Sequence, residues 1–243
     1  MSLWAGADGC KGGWLMVFLE EGGAFRFGGI VPDFATLPAK TRDARLTLVD
    51  VPVGLPEGPK GRECDRAARR LLGPRRSSVF PVPVRRALAA ETYEEACAVH
   101  REASGRGLSR QTWGIVARIR EADGVLRGDR RLEARIRESH PELCFAALNV
   151  RRPMEHPKRE EPGAAERRGV LERRAPGAGN FADRVLGKLR RGAAGEDDLL
   201  DAMVLARAAR EAWGQGVPTL PETPPRDTAG LRMEMVCPMS APR

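Results

Sequence analysis

Long apolar runs and paired cysteines are both missing from this sequence. No apolar run approaches the roughly 18–20 residues that a membrane-spanning helix needs, and no basic stretch followed by an apolar segment marks the N-terminus as a signal peptide. The five cysteines are scattered and form no Cys-x-x-Cys pair. This spacing argues against a zinc knuckle or a disulfide framework, and it predicts a protein of the reducing cytoplasm. The lack of a long apolar run predicts that the protein has no membrane partner.

Histidine and lysine are scarce as well. The three histidines are too dispersed along the chain to suggest a zinc site. Only 5 of the 41 basic residues are lysine, and the formal net charge is +8 with a pI near 9.8. The arginine excess is compatible with a solvated basic surface, or with binding to a polyanion whose phosphates suit the planar guanidinium.

What the sequence does contain is a mixed order of strand and helix patterns. With 243 residues and 42% hydrophobic content it can bury a core, and we predict one domain over residues 1–243. Apolar runs predict strands at 3–8, 13–20 and 24–31, one that ends at Asp50, one that ends at Glu138 and a last one within 230–238. Helical patterns predict a short helix at 33–40 and a helical insertion over about 57–130, with helices near 62–72, 83–102 and 110–127. Further helices are predicted after 141, 180 and 196. The segment at about 150–179 is predicted to be a surface excursion. This order predicts an α/β or α+β layered domain.

Three carboxylates follow the strand patterns. Asp8, Asp50 and Glu138 each come at the C-terminal end of a predicted strand. Sites in open sheets form outside those ends, so parallel neighbouring strands would bring the three acids to one edge. Asp198 and Asp201 share a helix face. Asp201 stands among apolar neighbours, where a carboxylate costs free energy unless it is paired or binds a cation.

Clustered carboxylates repel one another, and a divalent cation removes the repulsion. Mg²⁺ takes oxygen ligands, and two such ions about 4 Å apart can activate water and stabilise the leaving oxygen of a phosphodiester. Each acid also has a simpler interpretation, because Asp8 could be a turn residue, Asp50 could only end a strand, and Asp198 could compensate a helix dipole. The joint pattern of Asp8, Asp50, Glu138 and Asp201 carries more weight than any one of these residues, and it is compatible with a site for a hard divalent cation.

Basic and hydroxyl side chains gather in the stretch "GPRRSSVFP". With one lysine added from the first turn, they predict a phosphate-binding group of Lys11, Arg75, Arg76, Ser77 and Ser78. A loop of exposed arginines explains the same stretch equally well. His140, in "ESHPE", is either a proton shuttle or a structural histidine before Pro141. The ladder of Arg62, Asp65 and Arg69 fits a surface ion-pair face.

Eight stretches spread over most of the chain resemble the domain of unknown function 429 family, which is described as predicted nucleases with an RNase H-like fold. They are "GADGCKGGW" at 6–14, "DVPVGLP" at 50–56, "GRECDRAARRLLG" at 61–73, "RRSSVFPVP" at 75–83, "GLSRQTWGIVARIREAD" at 107–123, "ESHPE" at 138–142, "DDLLDAMVLA" at 197–206 and "GLRMEMVCP" at 230–238. The resemblance implies a five-stranded mixed sheet of order 3-2-1-4-5 flanked by helices, and metal-dependent cleavage of phosphodiester bonds.

Carried onto this sequence residue by residue, the resemblance also implies a site. Asp8 and Asp50 would be the ligands from strands 1 and 4, and Glu138 would lie at the end of strand 5. Asp201, helped by Asp198, would be the acid of the last helix. We therefore expect a metal-dependent nuclease with two Mg²⁺ or Mn²⁺ ions, acting on DNA or RNA.

The chain departs from the family at one loop, and two other functions stay open. Where family members often show a Lys-Lys-Thr-Pro-Glu-Gly-like stretch, "KREEPG" at 158–163 keeps Lys158 and Gly163 but loses the Thr-Pro. The main alternative to a nuclease is a catalytically silent nucleic-acid-binding or regulatory module of the same fold. An actin-like phosphotransferase is disfavoured, because the second Asp-Gly pair, Asp123-Gly124, follows a helix pattern rather than a strand.

Overall fold

Five strands form one mixed sheet. The computed structural model describes residues 2–238, and the sheet consists of β1 (Leu3–Cys10), β2 (Gly13–Glu20), β3 (Phe25–Val31), β4 (Ala44–Val49) and β5 (Ile136–Glu138). The strand order is β3-β2-β1-β4-β5, in which β1 and β4 run parallel, as do β4 and β5, while β2 is antiparallel to both of its neighbours. The α/β fold and the sheet order 3-2-1-4-5 are therefore confirmed. The domain predicted over 1–243 extends beyond the described residues at both ends.

Helices flank this sheet. Within the described residues they are α1 (Leu37–Lys40), α2 (Glu63–Leu72), α3 (Tyr93–Ser104), α4 (Arg110–Gly128), α5 (Pro141–Leu148), α6 (Glu161–Arg174), α7 (Ala178–Leu186) and α8 (Glu196–Gly214). A short antiparallel pair, β6 (Thr219–Leu220) and β7 (Met235–Val236), follows α8. None of the helices within residues 2–238 has the length and apolar character needed to cross a membrane.

Both faces of the sheet are covered, which explains the continuous apolar character of its central strands. Successive side chains of a strand point to opposite faces. Leu15, Val17 and Leu19 of β2 therefore join the core that includes α8, whereas Trp14 and Met16 join a second core with apolar residues of α4. The strand termini between these two cores are where polar side chains can collect.

Three predicted strands have different lengths in the structure. Strand β1 does not stop at Asp8 but runs to Cys10, because the antiparallel ladder with β2 continues to that residue. Strand β5 has three residues because Arg130–Ala134 forms a 3-10 turn before it. The last strand, expected within 230–238, is the two-residue β7.

Two predicted helices are also shorter than their patterns. The helix expected at 33–40 is reduced to α1. The helix expected at 83–102 is wrong as one element, because a 3-10 turn at Arg85–Ala89 precedes α3. The side chain of Thr92 accepts a hydrogen bond from the Glu95 amide and caps α3. This helix therefore begins at Tyr93, ten residues after its predicted start.

The segment 150–179 reaches from the surface into the core. Its second half is α6, and Met154, Val170 and Leu171 are buried in the core that includes α8. The loop before α6 is consequently held close to the edge of the sheet at which β1 and β4 end.

Candidate carboxylate site

Parallel pairing of β1 with β4 makes Asp8 and Asp50 neighbours. The parallel register ends at the pair Ala7 and Val49, and the Asp50 amide then donates to the Ala7 carbonyl oxygen at 3.1 Å. Asp8 is 6% exposed, and its Oδ1 accepts a hydrogen bond from the Gly9 amide at 2.7 Å. Two carboxylates from adjacent strands thus meet at one edge of the sheet.

Helix α8 brings a third carboxylate because its backbone lies directly against β1. A Cβ atom built on Gly6 would overlap the carbonyl oxygen of Ala202 and the amide nitrogen of Ala206. Only glycine allows this close approach. The residue before Ala202 is Asp201, and it is therefore delivered to the same edge as Asp8.

Asp201 is 1% exposed and has two differently engaged oxygens. Its Oδ2 accepts a hydrogen bond from Lys158 Nζ at 2.6 Å. Its Oδ1 is buried and has no hydrogen-bond partner within the described residues. A buried carboxylate oxygen without a partner costs free energy, so this atom is unusual in a folded protein.

The charges of these groups act on one another. Burial, and then the negative charges of Asp50 and Asp201, raise the pKa of Asp8 well above its usual range. Burial also raises the pKa of Asp201 to about 6, although Lys158 opposes the shift. Burial acts to lower the pKa of Lys158, but the negative charges, chiefly that of Asp201, outweigh it and raise this pKa. The cluster therefore holds more negative charge than its lysine neutralises.

Asp198 lies one turn earlier on α8 and has a capping role as well. The residue before the helix is Gly195, and its amide donates to Asp198 Oδ2 at 2.8 Å. Burial raises the pKa of Asp198. Asp198 is half-buried, as Asp50 is, whereas Asp8 and Asp201 are buried.

Glu138 reaches the same cavity but is already paired. Arg62 donates to both of its oxygens, at 2.6 and 2.7 Å, and the Val53 amide donates to one of them. Burial raises the pKa of Glu138 to about 7 despite this guanidinium. Arg62 also binds Asp65, and both are buried, so the surface ion-pair face expected for Arg62, Asp65 and Arg69 is wrong for its first two members.

One cavity of about 410 Å³ collects the predicted acids. Its lining includes Asp8, Asp50, Glu138, Asp198 and Asp201. Basic and hydroxyl residues on its walls include Lys158, Arg62, Arg75, Arg118, Arg159 and Ser78. From the predicted phosphate-binding group the structure thus brings Arg75 and Ser78 to the cavity, whereas the exposed Lys11, Arg76 and Ser77 are not among its lining residues.

His140 lines the cavity and caps a helix. Its Nδ1 accepts a hydrogen bond from the Glu142 amide at 3.2 Å, at the start of α5. Its Nε2 lies 3.2 Å from the Ser78 carbonyl oxygen, and with Nδ1 accepting, Nε2 carries the proton. These two contacts support the interpretation of His140 as a structural histidine before Pro141.

Sequence reasoning missed the basic residues that neutralise the acids. Lys158 pairs with an aspartate 43 positions away and Arg62 with a glutamate 76 positions away. The available signal for Lys158 is weak, namely that it is one of five lysines in an arginine-rich chain and lies in the stretch "KREEPG".

The donor set suits a hard divalent cation. Asp8, Asp50 and Asp201 all line the cavity and offer oxygen ligands alone, and Asp201 Oδ1 has no hydrogen-bond partner within the described residues. Within residues 2–238, no group of three or more histidine, cysteine, aspartate or glutamate side chains is already arranged to hold a metal ion. Metal binding would therefore require these carboxylates to draw closer together.

Comparison with known proteins gives a family and no characterised relative. Neither the curated proteins nor the solved structures contain a match to this chain. The family model described as "Protein of unknown function (DUF429)" matches residues 6–226, which include every acid of the cavity. The chain therefore belongs to the DUF429 family.

Proposed function

We propose that this protein is a metal-dependent nuclease that hydrolyses phosphodiester bonds of nucleic acid. The observation that carries the proposal is the convergence of Asp8, Asp50 and Asp201 in one cavity, with a buried Asp201 oxygen that lacks a hydrogen-bond partner in the described chain. A site with this excess of negative charge attracts Mg²⁺ or Mn²⁺. Such an ion, when bound, supplies a hydroxide from water and stabilises charge on the phosphate.

The acids have different roles in this proposal. Asp8, Asp50 and Asp201 hold the metal, and Asp198 assists from the first turn of α8. Glu138 acts mainly through Arg62 and the Val53 amide, because both of its oxygens already accept hydrogen bonds. It shapes the wall of the cavity rather than binding the ion directly.

Basic residues on the cavity walls would hold the substrate. Arg75 and Arg118 line the cavity, and Ser78 lies beside them. The Arg75 side chain is half-buried at the cavity wall, where its guanidinium would meet a phosphate oxygen. Arg118 is positioned by donating to the Cys10 carbonyl oxygen at 2.7 Å.

The direct test is cleavage of labelled DNA and RNA, single- and double-stranded, with Mg²⁺ or Mn²⁺. We expect the wild type to cut at least one substrate and Asp8→Asn to lose at least about a hundredfold in rate, since it removes one charged ligand. Asn keeps the acceptor for the Gly9 amide, so circular dichroism should show an unchanged fold. Equal cleavage by both proteins would contradict the proposal.

A catalytically silent nucleic-acid-binding module is the second candidate. It is favoured by the ion pair of Lys158 with Asp201, which neutralises part of the cluster without a metal. Calorimetric titration with Mn²⁺ and with oligonucleotides separates the two functions. If oligonucleotides bind while no Mn²⁺ binds below millimolar concentration, the silent module is the better description.

A further inference from the structure

Lys158 enters the carboxylate site from outside the sheet. Its Nζ lies 2.6 Å from Asp201 Oδ2 and 4.0 Å from Asp197 Oδ2. The Lys158 side chain is 35% exposed, whereas the Asp201 side chain is 1% exposed, so the lysine extends from a partly exposed wall to a buried acid. One oxygen of the deepest acid is therefore already bound to a positive charge.

The loop that carries Lys158 is fixed by its neighbours. A Cβ atom on Gly163 would overlap the Pro157 carbonyl oxygen, so α6 begins in direct contact with this loop. Arg167 of α6 is 1% exposed and donates to the carbonyl oxygens of His156 and Gly163, at 3.1 and 2.8 Å. The same guanidinium forms a buried ion pair with Glu142 of α5. Lys158 thus extends from a rigid support.

A count of charges shows what remains to be neutralised. The half-buried Asp197 and Asp198 face the guanidinium groups of Arg159 and Arg118. Asp8, Asp50 and Asp201 together carry three negative charges when ionised, and Lys158 supplies one positive charge. Two negative charges remain, which a single divalent cation balances. A second divalent cation would leave these four side chains with a positive excess in a largely buried site, where uncompensated charge is costly.

The geometry of Asp201 agrees with this count. Its Oδ2 is bound to Lys158, and its Oδ1 is the buried oxygen without a hydrogen-bond partner in the described chain. One carboxylate therefore has one oxygen for the lysine and one for a metal ion. A carboxylate that bridges two metal ions would need both oxygens, and Lys158 would have to leave.

We propose that the Lys158 ammonium is a built-in second cation, so that the site binds one divalent ion rather than two. The proposal rests on the proposed metal-dependent function and specifies its site. Lys158 supplies the positive charge that a second metal ion would otherwise supply. The single ion is held by Asp8, Asp50 and the free oxygen of Asp201.

The test is the number of Mn²⁺ ions bound per chain, measured at one fixed pH by titration calorimetry and by electron paramagnetic resonance. The wild type should bind one ion with the spectrum of an isolated Mn²⁺. Lys158→Met removes the charge and keeps the length of the side chain, and it should bind two ions with the spin coupling of a pair. Lys188→Met, at an exposed lysine outside the cavity lining, is the matched control and should bind one ion.

Each result decides between the alternatives. Two ions in the wild type, or one ion in a folded Lys158→Met, would overturn the role of Lys158 and leave the proposed nuclease intact. No bound Mn²⁺ in the wild type would overturn the proposed metal-dependent function itself. If Lys158→Met does not fold, Lys158→Gln takes its place with the same expectation, while the wild-type stoichiometry still tests the proposal. Lys158→Arg keeps the charge and should bind one ion.

Discussion

At the scale of single residues, Asp8 and Asp201 are alike in burial but opposite in their surroundings. Asp201 is paired with Lys158, whose Nζ lies 2.6 Å from it. Asp8 faces the negative charges of Asp50 and Asp201, and its Oδ1 accepts a hydrogen bond from the Gly9 amide. Losing the negative charge of Asp8 and losing the positive charge of Lys158 should therefore have opposite effects on stability.

We expect Asp8→Asn to stabilise the metal-free protein and Lys158→Met to destabilise it. Asn at position 8 removes the cost of burying a charge and relieves like-charge repulsion. The repulsion is of the order of 3 kcal/mol for two charges about 5 Å apart at an effective dielectric constant near 20. Met at position 158 leaves the buried negative charge of Asp201 without its lysine partner and should cost about 1–3 kcal/mol, reduced by the partial exposure of that lysine. Urea unfolding in a chelating buffer at pH 7.5 measures both free energies. Shifts of the same sign in the two variants would contradict this electrostatic description.

The acids of the site could be predicted from the sequence, whereas their counter-charges could not. Asp201 among apolar residues, and Asp8 and Asp50 after apolar strands, carry a local signal because an ionised side chain in such a place needs a partner. Lys158 and Arg62 carry no such signal. Their partners come from distant segments, and a basic side chain in a charged loop looks the same whether it points to solvent or into a cavity.

At the scale of elements, the contact between β1 and α8 sets the site. Gly6 allows the α8 backbone at Ala202 and Ala206 to touch the strand, and this contact fixes where Asp201 lies relative to Asp8. Helix α8 is apolar over most of its circumference, in keeping with its burial between the sheet and α5, α6 and α7. The placement of the proposed metal ligands therefore depends on a contact that contains no charged side chain.

Gly6→Ala should separate β1 from α8 and weaken both folding and metal binding. The added methyl group meets backbone atoms that cannot rotate away, and we expect a loss of at least about 2 kcal/mol in the free energy of unfolding. Gly124→Ala is the matched control, because Gly124 is exposed on α4 with nothing within 4 Å of the added Cβ. This control should be neutral or gain up to about 1 kcal/mol. Thermal and urea unfolding compare the two, and an equally mild effect of both would show that the close contact is not needed.

The elements themselves differ in how far the sequence determines them. Strands β1 to β4 and helix α8 follow from hydrophobic periodicity, because each is long and packs on the core. The region 83–102 was mispredicted because one cap, Thr92, decides where α3 begins. The three residues of β5 owe their pairing to β4 rather than to any pattern of their own, since Thr47, Leu48 and Val49 provide the register.

At the scale of the whole molecule, negative charge is concentrated in a cavity of a positively charged protein. The net charge is +8, yet the deepest part of the cavity is lined by aspartates. Arginines stand around them, and Arg75 keeps an unpartnered donor within the described structure. The positive charge of the whole protein can therefore attract a polyanion, while the aspartates of the cavity attract a divalent cation.

The stretch "RRSS" allows the role of the cavity arginine to be separated from that of its neighbour. Arg75 lines the cavity, whereas Arg76 is exposed and is not among the lining residues. Binding of a fluorescent single-stranded oligonucleotide can be followed by anisotropy in the presence of Ca²⁺ between about 50 and 200 mM salt. The affinity should fall as salt rises, because binding releases cations from the phosphates and this release is less favourable at higher salt. Arg75→Gln should lower the slope of log K against log salt by about one, and Arg76→Gln should leave it unchanged. If both variants lowered the slope equally, the two arginines would act as a surface clamp, and the cavity would not be what positions the nucleic acid.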